Sequence, residues 1–82
     1  MDRRTLHRML REARVPGGYY VIEGVHEPAP TPVDHLFLRR RGGAWETGVY
    51  ERGRHEVAAR FGTESEACAH LFRLLTGPGG PA

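Results

Sequence analysis

The sequence has a single cysteine, no lysine, asparagine or glutamine, and no long hydrophobic run. The lone Cys68 excludes an internal disulfide and gives no cysteine-based metal framework. Because the apolar runs cover only a few residues, we expect no membrane span. The charged start MDRRTLHRML lacks the apolar segment of a secretion signal. These absences predict a cytoplasmic protein.

Arginine carries all of the basic charge. All 12 basic residues are arginine, which indicates the codon bias of a GC-rich genome more than an adaptation for binding. A net charge of +2 and a hydrophobic content of 39% are typical of a globular domain rather than a disordered chain. With 82 residues there is room for one core. We predict a single domain over residues 1–76 and a flexible tail, GPGGPA, over residues 77–82.

The first third of the chain predicts a helix, a strand and a loop. The apolar positions of residues 2–14 are spaced as on one side of an amphipathic helix, with Asp2 as its N-cap. The β-branched and aromatic residues from Tyr19 to Val25 predict a strand. Three prolines in EPAPTP, residues 27–32, predict an extended and solvated loop.

The remaining chain predicts three more strands and a second helix. The strands are His35 to Arg41, Ala44 to Glu51 and His55 to Phe61, joined by turns at Gly42-Gly43 and Arg52-Gly53. Thr63 and Glu66 form the capping box of a final helix that Gly77-Pro78 ends. We therefore expect an α+β fold, helix, four strands and helix, with an antiparallel sheet and both helices on one face.

Alternation along the strands predicts which side chains are buried. Trp45, Thr47 and Val49 share one face of the third strand. His55, Val57, Ala59 and Phe61 share one face of the fourth strand. We expect Trp45, Val49, Val57 and Phe61 in the core, and the alternate residues on an uncovered, polar face.

No residue pattern predicts catalysis, a metal or a cofactor. Cys68 and His70 are two apart on a helix, so they point to different sides and form neither a zinc pair nor a nucleophile pair. Gly17-Gly18 and Gly42-Gly43 adjoin strands and indicate turns rather than a phosphate-binding loop. We therefore predict that the protein is not an enzyme.

The surfaces allow three hypotheses. The first is a protein partner, which exposed tyrosine and arginine beside acids favour; its candidate residues are Glu46, Tyr50, Glu51, Arg52, Glu56 and Arg60. The second is nucleic acid, held by arginines that contact phosphate; its candidates are Arg39, Arg40, Arg41, Arg4 and Arg8. The third is a homodimer formed through the uncovered face.

Three motifs resemble a group of small actinobacterial proteins. They are Val15-Pro16-Gly17-Gly18-Tyr19, the WExxxxERG pattern from Trp45 to Gly53, and the FxTExEACxxL pattern from Phe61 to Leu71. Such proteins are associated with the immunity proteins of bacterial polymorphic toxin systems. The resemblance, over residues 10–75, implies a non-enzymatic partner that caps a toxin. We hypothesise that Glu46, Tyr50 and Glu51 on the exposed face would then meet a basic or polar site.

A second, partial resemblance is to the sheet-plus-helix DNA-binding domains of plant ethylene-response-type factors and phage integrases. It rests on a tryptophan-containing strand followed by F-x-T-x-x-E-A, here Phe61 to Ala67. This resemblance implies a sheet that lies in the major groove. Glu46, Glu51 and Glu56 would be repelled by phosphate, so we favour a protein partner.

Overall fold

The computed structural model describes residues 1–77, and two helices flank four strands in it. The order is α1 (Arg3–Glu12), a short 3₁₀ turn (Gly17–Tyr19), β1 (Tyr20–Ile22), β2 (His35–Arg41), β3 (Ala44–Glu51), β4 (Arg54–Phe61) and α2 (Glu64–Thr76). The predicted α+β class and order of elements are confirmed. Apart from Gly77, the predicted tail lies outside the described residues.

Both helices begin at the predicted caps. The Asp2 carboxylate accepts a hydrogen bond from the backbone N–H of Thr5 at 2.8 Å. The Thr63 hydroxyl accepts one from the backbone N–H of Glu66 at 3.2 Å and donates to the Glu66 carboxylate at 2.9 Å. These bonds satisfy N–H groups that the first helical turn leaves without partners.

The sheet is mixed, so the prediction of a fully antiparallel sheet is wrong. The strand order is β1-β2-β3-β4, and β1 pairs with β2 in parallel. The two hairpins β2–β3 and β3–β4 are antiparallel. A parallel pair needs a long crossover connection, and residues 23–34 provide it here. This segment is called the crossover loop below.

The two hairpins turn through the predicted residue pairs. Gly42 and Gly43 have φ of 56° and 82°, and Arg52 and Gly53 have φ of 53° and 76°. Two successive positive φ values indicate the type I′ turn, whose twist matches that of the flanking strands. These turns fix the register in which β2, β3 and the first part of β4 meet.

One hydrophobic core joins both helices to one face of the sheet. It contains Leu6 and Leu10 from α1 and Leu71 and Leu75 from α2, together with residues of β1, β2 and β3 that include Trp45. Trp45 is 8% exposed, as predicted for a core residue, and Phe61 packs against the cluster. Cys68 is also fully buried there.

A β-bulge in β4 places His55 and Val57 on the face opposite to the one predicted for them. Thr47 pairs with Ala59, whereas Gly48 pairs with Val57, so Ala58 is the extra residue. The bulge inverts the alternation, and His55 and Val57 lie on the face opposite to Ala59 and Phe61. Val57 is 42% exposed as a result, and Val49, which keeps its predicted face, is 36% exposed near the end of β3, so the prediction that both belong to the core is wrong.

The second face of the sheet has no helix packed on it within residues 1–77. We name it the helix-free face. The strand register assigns to it Val21 from β1, His35, Phe37, Arg39 and Arg41 from β2, Glu46, Gly48 and Tyr50 from β3, and His55, Val57 and Arg60 from β4.

Candidate functional site

An ion network crosses three strands of the helix-free face. Arg39, Glu46 and Arg60 are direct cross-strand neighbours in the register of β2, β3 and β4. The Arg39 Nε donates to Glu46 Oε1 at 3.0 Å, and the Arg60 Nε donates to Glu46 Oε2 at 2.7 Å. Glu46 is 1% exposed because the two arginine side chains enclose its carboxylate. Its charge is therefore balanced inside the domain.

The network sets the electrostatic character of this face. Burial raises the pKa of Glu46, but hydrogen bonds and charge from Arg60 and Arg39 outweigh burial and hold that pKa below its usual 4.5. Two guanidinium groups against one carboxylate leave one positive charge in excess. Arg41 is two residues after Arg39 on β2 and therefore lies on the same face, where it adds another positive charge. The centre of the face is basic, although Glu46 lies in its middle.

A row of packed aromatic rings lies beside the network. His35, Tyr50 and His55 are neighbours in register across β2, β3 and β4. The His35 and Tyr50 rings stack with centroids 4.9 Å apart, and the Tyr50 and His55 centroids are 4.6 Å apart. Phe37 meets His55 edge-on at 4.8 Å, and the Arg39 guanidinium lies 5.0 Å from the Phe37 ring. The ring row and the network are thus joined into one layer.

The crossover loop forms one wall of a cleft next to the ring row. The cleft has a volume of about 280 Å³ and is lined by Val21, Glu27, Pro28, Thr31, His35, Tyr50 and His55. The His35 Nδ1 lies 3.1 Å from the carbonyl oxygen of Pro32, which can only accept, so Nδ1 carries a proton. The loop therefore fixes the orientation of the first ring in the row.

The six residues predicted to contact a protein are divided between the two faces. Tyr50 and Arg60 lie on the helix-free face, where Arg60 has a side chain that is 67% exposed. Glu46 lies there too, but it is enclosed by Arg39 and Arg60. Glu51 and Glu56, at register positions opposite Arg54 and Val49, lie on the other face. Arg52 is exposed in the β3–β4 turn.

The five arginines predicted to contact nucleic acid form no continuous surface. Arg39 and Arg41 lie on the helix-free face, whereas the Arg40 guanidinium is 5.5 Å from the ring of the core residue Trp45. Arg4 and Arg8 are exposed on α1, whose buried leucines pack against the opposite face of the sheet. A nucleic acid on the helix-free face would contact only part of this set.

His35, Phe37 and His55 are members of the site that the sequence interpretation missed. The sequence does contain the information needed to place His35, because counting residues from the Gly42-Gly43 turn puts it opposite Tyr50. His55 is also opposite Tyr50, through the Arg52-Gly53 turn, but simple alternation from Phe61 assigned it to the wrong face. Register counted from the turns would have found both rings.

A second ring cluster lies between α1 and β1. The His7 and His26 centroids are 4.6 Å apart, the Tyr20 and His26 centroids are 4.7 Å apart, and His26 Nε2 lies 2.8 Å from the carbonyl oxygen of Gly17. Burial, followed by the charges of His26 and Arg11, lowers the pKa of His7. This cluster connects the helix to the start of the sheet.

The residues considered for metal or nucleophile chemistry lie apart. Cys68 is in the core, where burial raises the pKa of its thiol to about 11. His70 faces the sheet, with Nδ1 2.7 Å from the Thr47 hydroxyl oxygen. Across residues 1–77, no three histidine, cysteine, aspartate or glutamate side chains are grouped as a metal site would require.

Neither α1 nor α2 has the length and apolar character needed to cross a membrane.

The comparisons with known proteins give no relative. The chain matches no protein-family model, and no significant similarity to a curated protein or to a solved structure is found.

Proposed function

We propose that this chain is a non-catalytic protein-binding domain that docks on its partner through the helix-free face. The observation that carries the proposal is the layer formed by the ring row and the Arg39–Glu46–Arg60 network on that face. Tyrosine and arginine contribute most of the binding energy in many protein interfaces, particularly when they are held in place before binding.

Exposure on the same face supports docking. Val57 is 42% exposed on β4, and the Arg60 side chain is 67% exposed beside it. The cleft of about 280 Å³ at the crossover loop offers space for a partner side chain next to Tyr50. Aromatic residues and arginine are enriched in protein interfaces, and the residues that contribute most to binding lie in well-packed pockets.

The state of the chemically reactive groups favours binding over catalysis. The Glu46 carboxylate is neutralised by two arginines, and the Cys68 thiol is buried with a pKa of about 11. A general base or a nucleophile needs an accessible group whose pKa lies near the working pH. Neither of these two groups meets that requirement.

The resemblance to immunity-type proteins supplies the specific form of the proposal. In this form the partner is a toxin, and the domain inhibits the toxin by covering a functional surface. The earlier expectation that Glu46 itself meets a basic site is replaced, because its carboxylate is already bound by Arg39 and Arg60. The basic centre of the face fits an acidic patch on the partner.

A capture experiment with matched tyrosine variants tests the proposal. Tagged wild type, Tyr50→Ala and Tyr19→Ala are incubated with lysate of the source organism, once with and once without nuclease treatment. Tyr19 is 38% exposed and lies in the 3₁₀ turn before β1, outside the ring row and the network, so it is the control. We expect wild type and Tyr19→Ala to recover the same protein in stoichiometric amount, and Tyr50→Ala to lose it.

Three results would contradict the proposal. Equal recovery by Tyr50→Ala, with its circular dichroism spectrum unchanged, would remove the helix-free face as the docking site. A species that disappears on nuclease treatment would indicate nucleic acid, and a dimer mass from light scattering without other protein would indicate self-association through this face.

A further inference from the structure

The two arginines of the network retain hydrogen-bond donors for a second anion. A guanidinium carries five N–H groups in a fixed fork. Glu46 accepts hydrogen bonds from Nε of Arg39 and from Nε of Arg60, and Nη2 of Arg60 forms an ion pair with Glu46 Oε2 at 2.6 Å. The remaining N–H groups of both side chains are therefore left for another acceptor, and the excess positive charge of the network is not yet balanced.

Both guanidinium groups are held in position before any ligand arrives. The Arg39 side chain is 17% exposed, because it lies over the Phe37 ring and bonds to Glu46. Arg60 is anchored through the same carboxylate, while 67% of its side chain faces solvent. An arginine that is already ordered loses little conformational entropy when it binds, and its planar fork matches a carboxylate in a bidentate geometry.

The surroundings favour an isolated carboxylate over a nucleic-acid strand. The His35 and Tyr50 rings stack on each other at an interplanar angle of 19°, so the ring faces between them are closed to a nucleobase. Arg4 and Arg8 lie on α1, which packs against the other face, so the basic residues form no track for successive phosphates. One or two carboxylates can be held by the network alone.

We propose that Arg39 and Arg60 form a binding site for the side-chain carboxylate of an acidic segment of a protein. Glu46 is a positioning residue in this site, since it orders both arginines without touching the ligand. This inference rests on the proposed function, because it names the chemistry of the partner surface that meets the helix-free face.

Nuclear magnetic resonance of the arginine side chains tests the site directly. The ¹⁵N-labelled chain is titrated with a capped hexaglutamate peptide and with capped hexaglutamine, which has the same backbone length and no charge. We expect saturable shifts of the Nε–Hε signals of Arg39 and Arg60 with hexaglutamate only. The Arg8 signal, on α1, is expected to stay unchanged.

Three variants separate the residues involved. Arg60→Gln, at a largely exposed position, should weaken hexaglutamate binding about tenfold, whereas Arg8→Gln should not change it. Glu46→Gln should also weaken binding, although it makes the face more positive, because the arginines lose their anchor. Tighter binding by a folded Glu46→Gln variant would overturn the positioning role.

Two outcomes would overturn the site itself. A parallel titration uses an oligothymidylate with the same charge as hexaglutamate, and tighter binding of the oligonucleotide would favour a nucleic acid over an acidic segment. The absence of arginine shifts at saturating hexaglutamate would remove the carboxylate site. In that case the loss of a captured partner by Tyr50→Ala would still support the proposed function, so the two failures are distinguishable.

Discussion

Glu46 is the residue on which the helix-free face depends most. The residue is 1% exposed, and its carboxylate accepts hydrogen bonds from Arg39 and Arg60, which lie on the two neighbouring strands. Removing one member of a buried ion network leaves the others without a partner. The physical role of Glu46 is therefore to balance charge and to order two arginines.

Glu46→Gln should lower the free energy of unfolding by about 2 kcal/mol, because both arginines lose a charged acceptor. The loss is moderate because water can still solvate the exposed Arg60 side chain. Urea unfolding at neutral pH, followed by Trp45 fluorescence, measures the change. Glu12→Gln, at an exposed position on α1, is the control and should lie within about 0.5 kcal/mol of wild type. Equal effects of the two substitutions would contradict the buried network.

The same carboxylate predicts how stability changes in acid. The pKa of Glu46 is lower in the folded state than its usual 4.5, so the unfolded chain binds more protons in that range. Its contribution to stability is fully present above pH 4.5 and is lost as the pH falls through the folded pKa. The stability of Glu46→Gln should therefore depend less on pH below 4.5 than that of wild type.

At the scale of elements, the bulge in β4 determines the composition of the site. Gly42-Gly43 and Arg52-Gly53 fix the hairpin registers, and an uninterrupted β3–β4 ladder would place Ala59 opposite Glu46. The extra residue, Ala58, moves Arg60 into that position instead. Gly48 makes the bulge possible, because a Cβ there would overlap the backbone carbonyl oxygen of Glu56.

Gly48→Ala should destabilise the domain by about 2–3 kcal/mol, because the added methyl group cannot fit without moving the β4 backbone. Gly62→Ala is the control, since a Cβ at Gly62 meets nothing within 4 Å. Thermal unfolding of both variants measures the difference. A Gly48→Ala variant as stable as Gly62→Ala would mean that β4 does not pass over Gly48 as described.

At the scale of the whole molecule, three histidines in three different elements carry lowered pKa values. They are His7 on α1, His55 on β4 and His70 on α2, and burial is the largest cause for each. Positive neighbours, such as Arg11 for His7 and Arg39 for His55, add to the effect. Protonation of a histidine is therefore disfavoured in both helices and in the sheet.

Stability should fall as the pH is lowered from about 7.5 to about 5, because the unfolded histidines titrate near their usual 6.5 and bind protons that the folded ones do not. The melting temperature across this range measures the effect. His7→Gln should flatten the curve. A curve that is flat for wild type, or equally steep for His7→Gln, would contradict the lowered pKa of His7.

A large part of the site can be predicted when register is counted from the turns. The Gly42-Gly43 turn alone places Arg39 opposite Glu46 and His35 opposite Tyr50. Arg60 cannot be assigned in this way, because its partner depends on the bulge beside Gly48. The face of the sheet on which Val57 lies was predicted wrongly for the same reason.

The amino-acid sequence by itself determined the elements, the caps and the turns. The bounds of β2 and β3, the Thr63–Glu66 cap and the two hairpin turns depend on residues a few positions apart, whose preferences act locally. Only the tertiary structure decided the parallel pairing of β1 with β2, the bulge in β4 and the enclosure of Glu46 by two arginines. These features join segments that are distant in the chain, so their free energy comes from packing and charge that no local pattern contains.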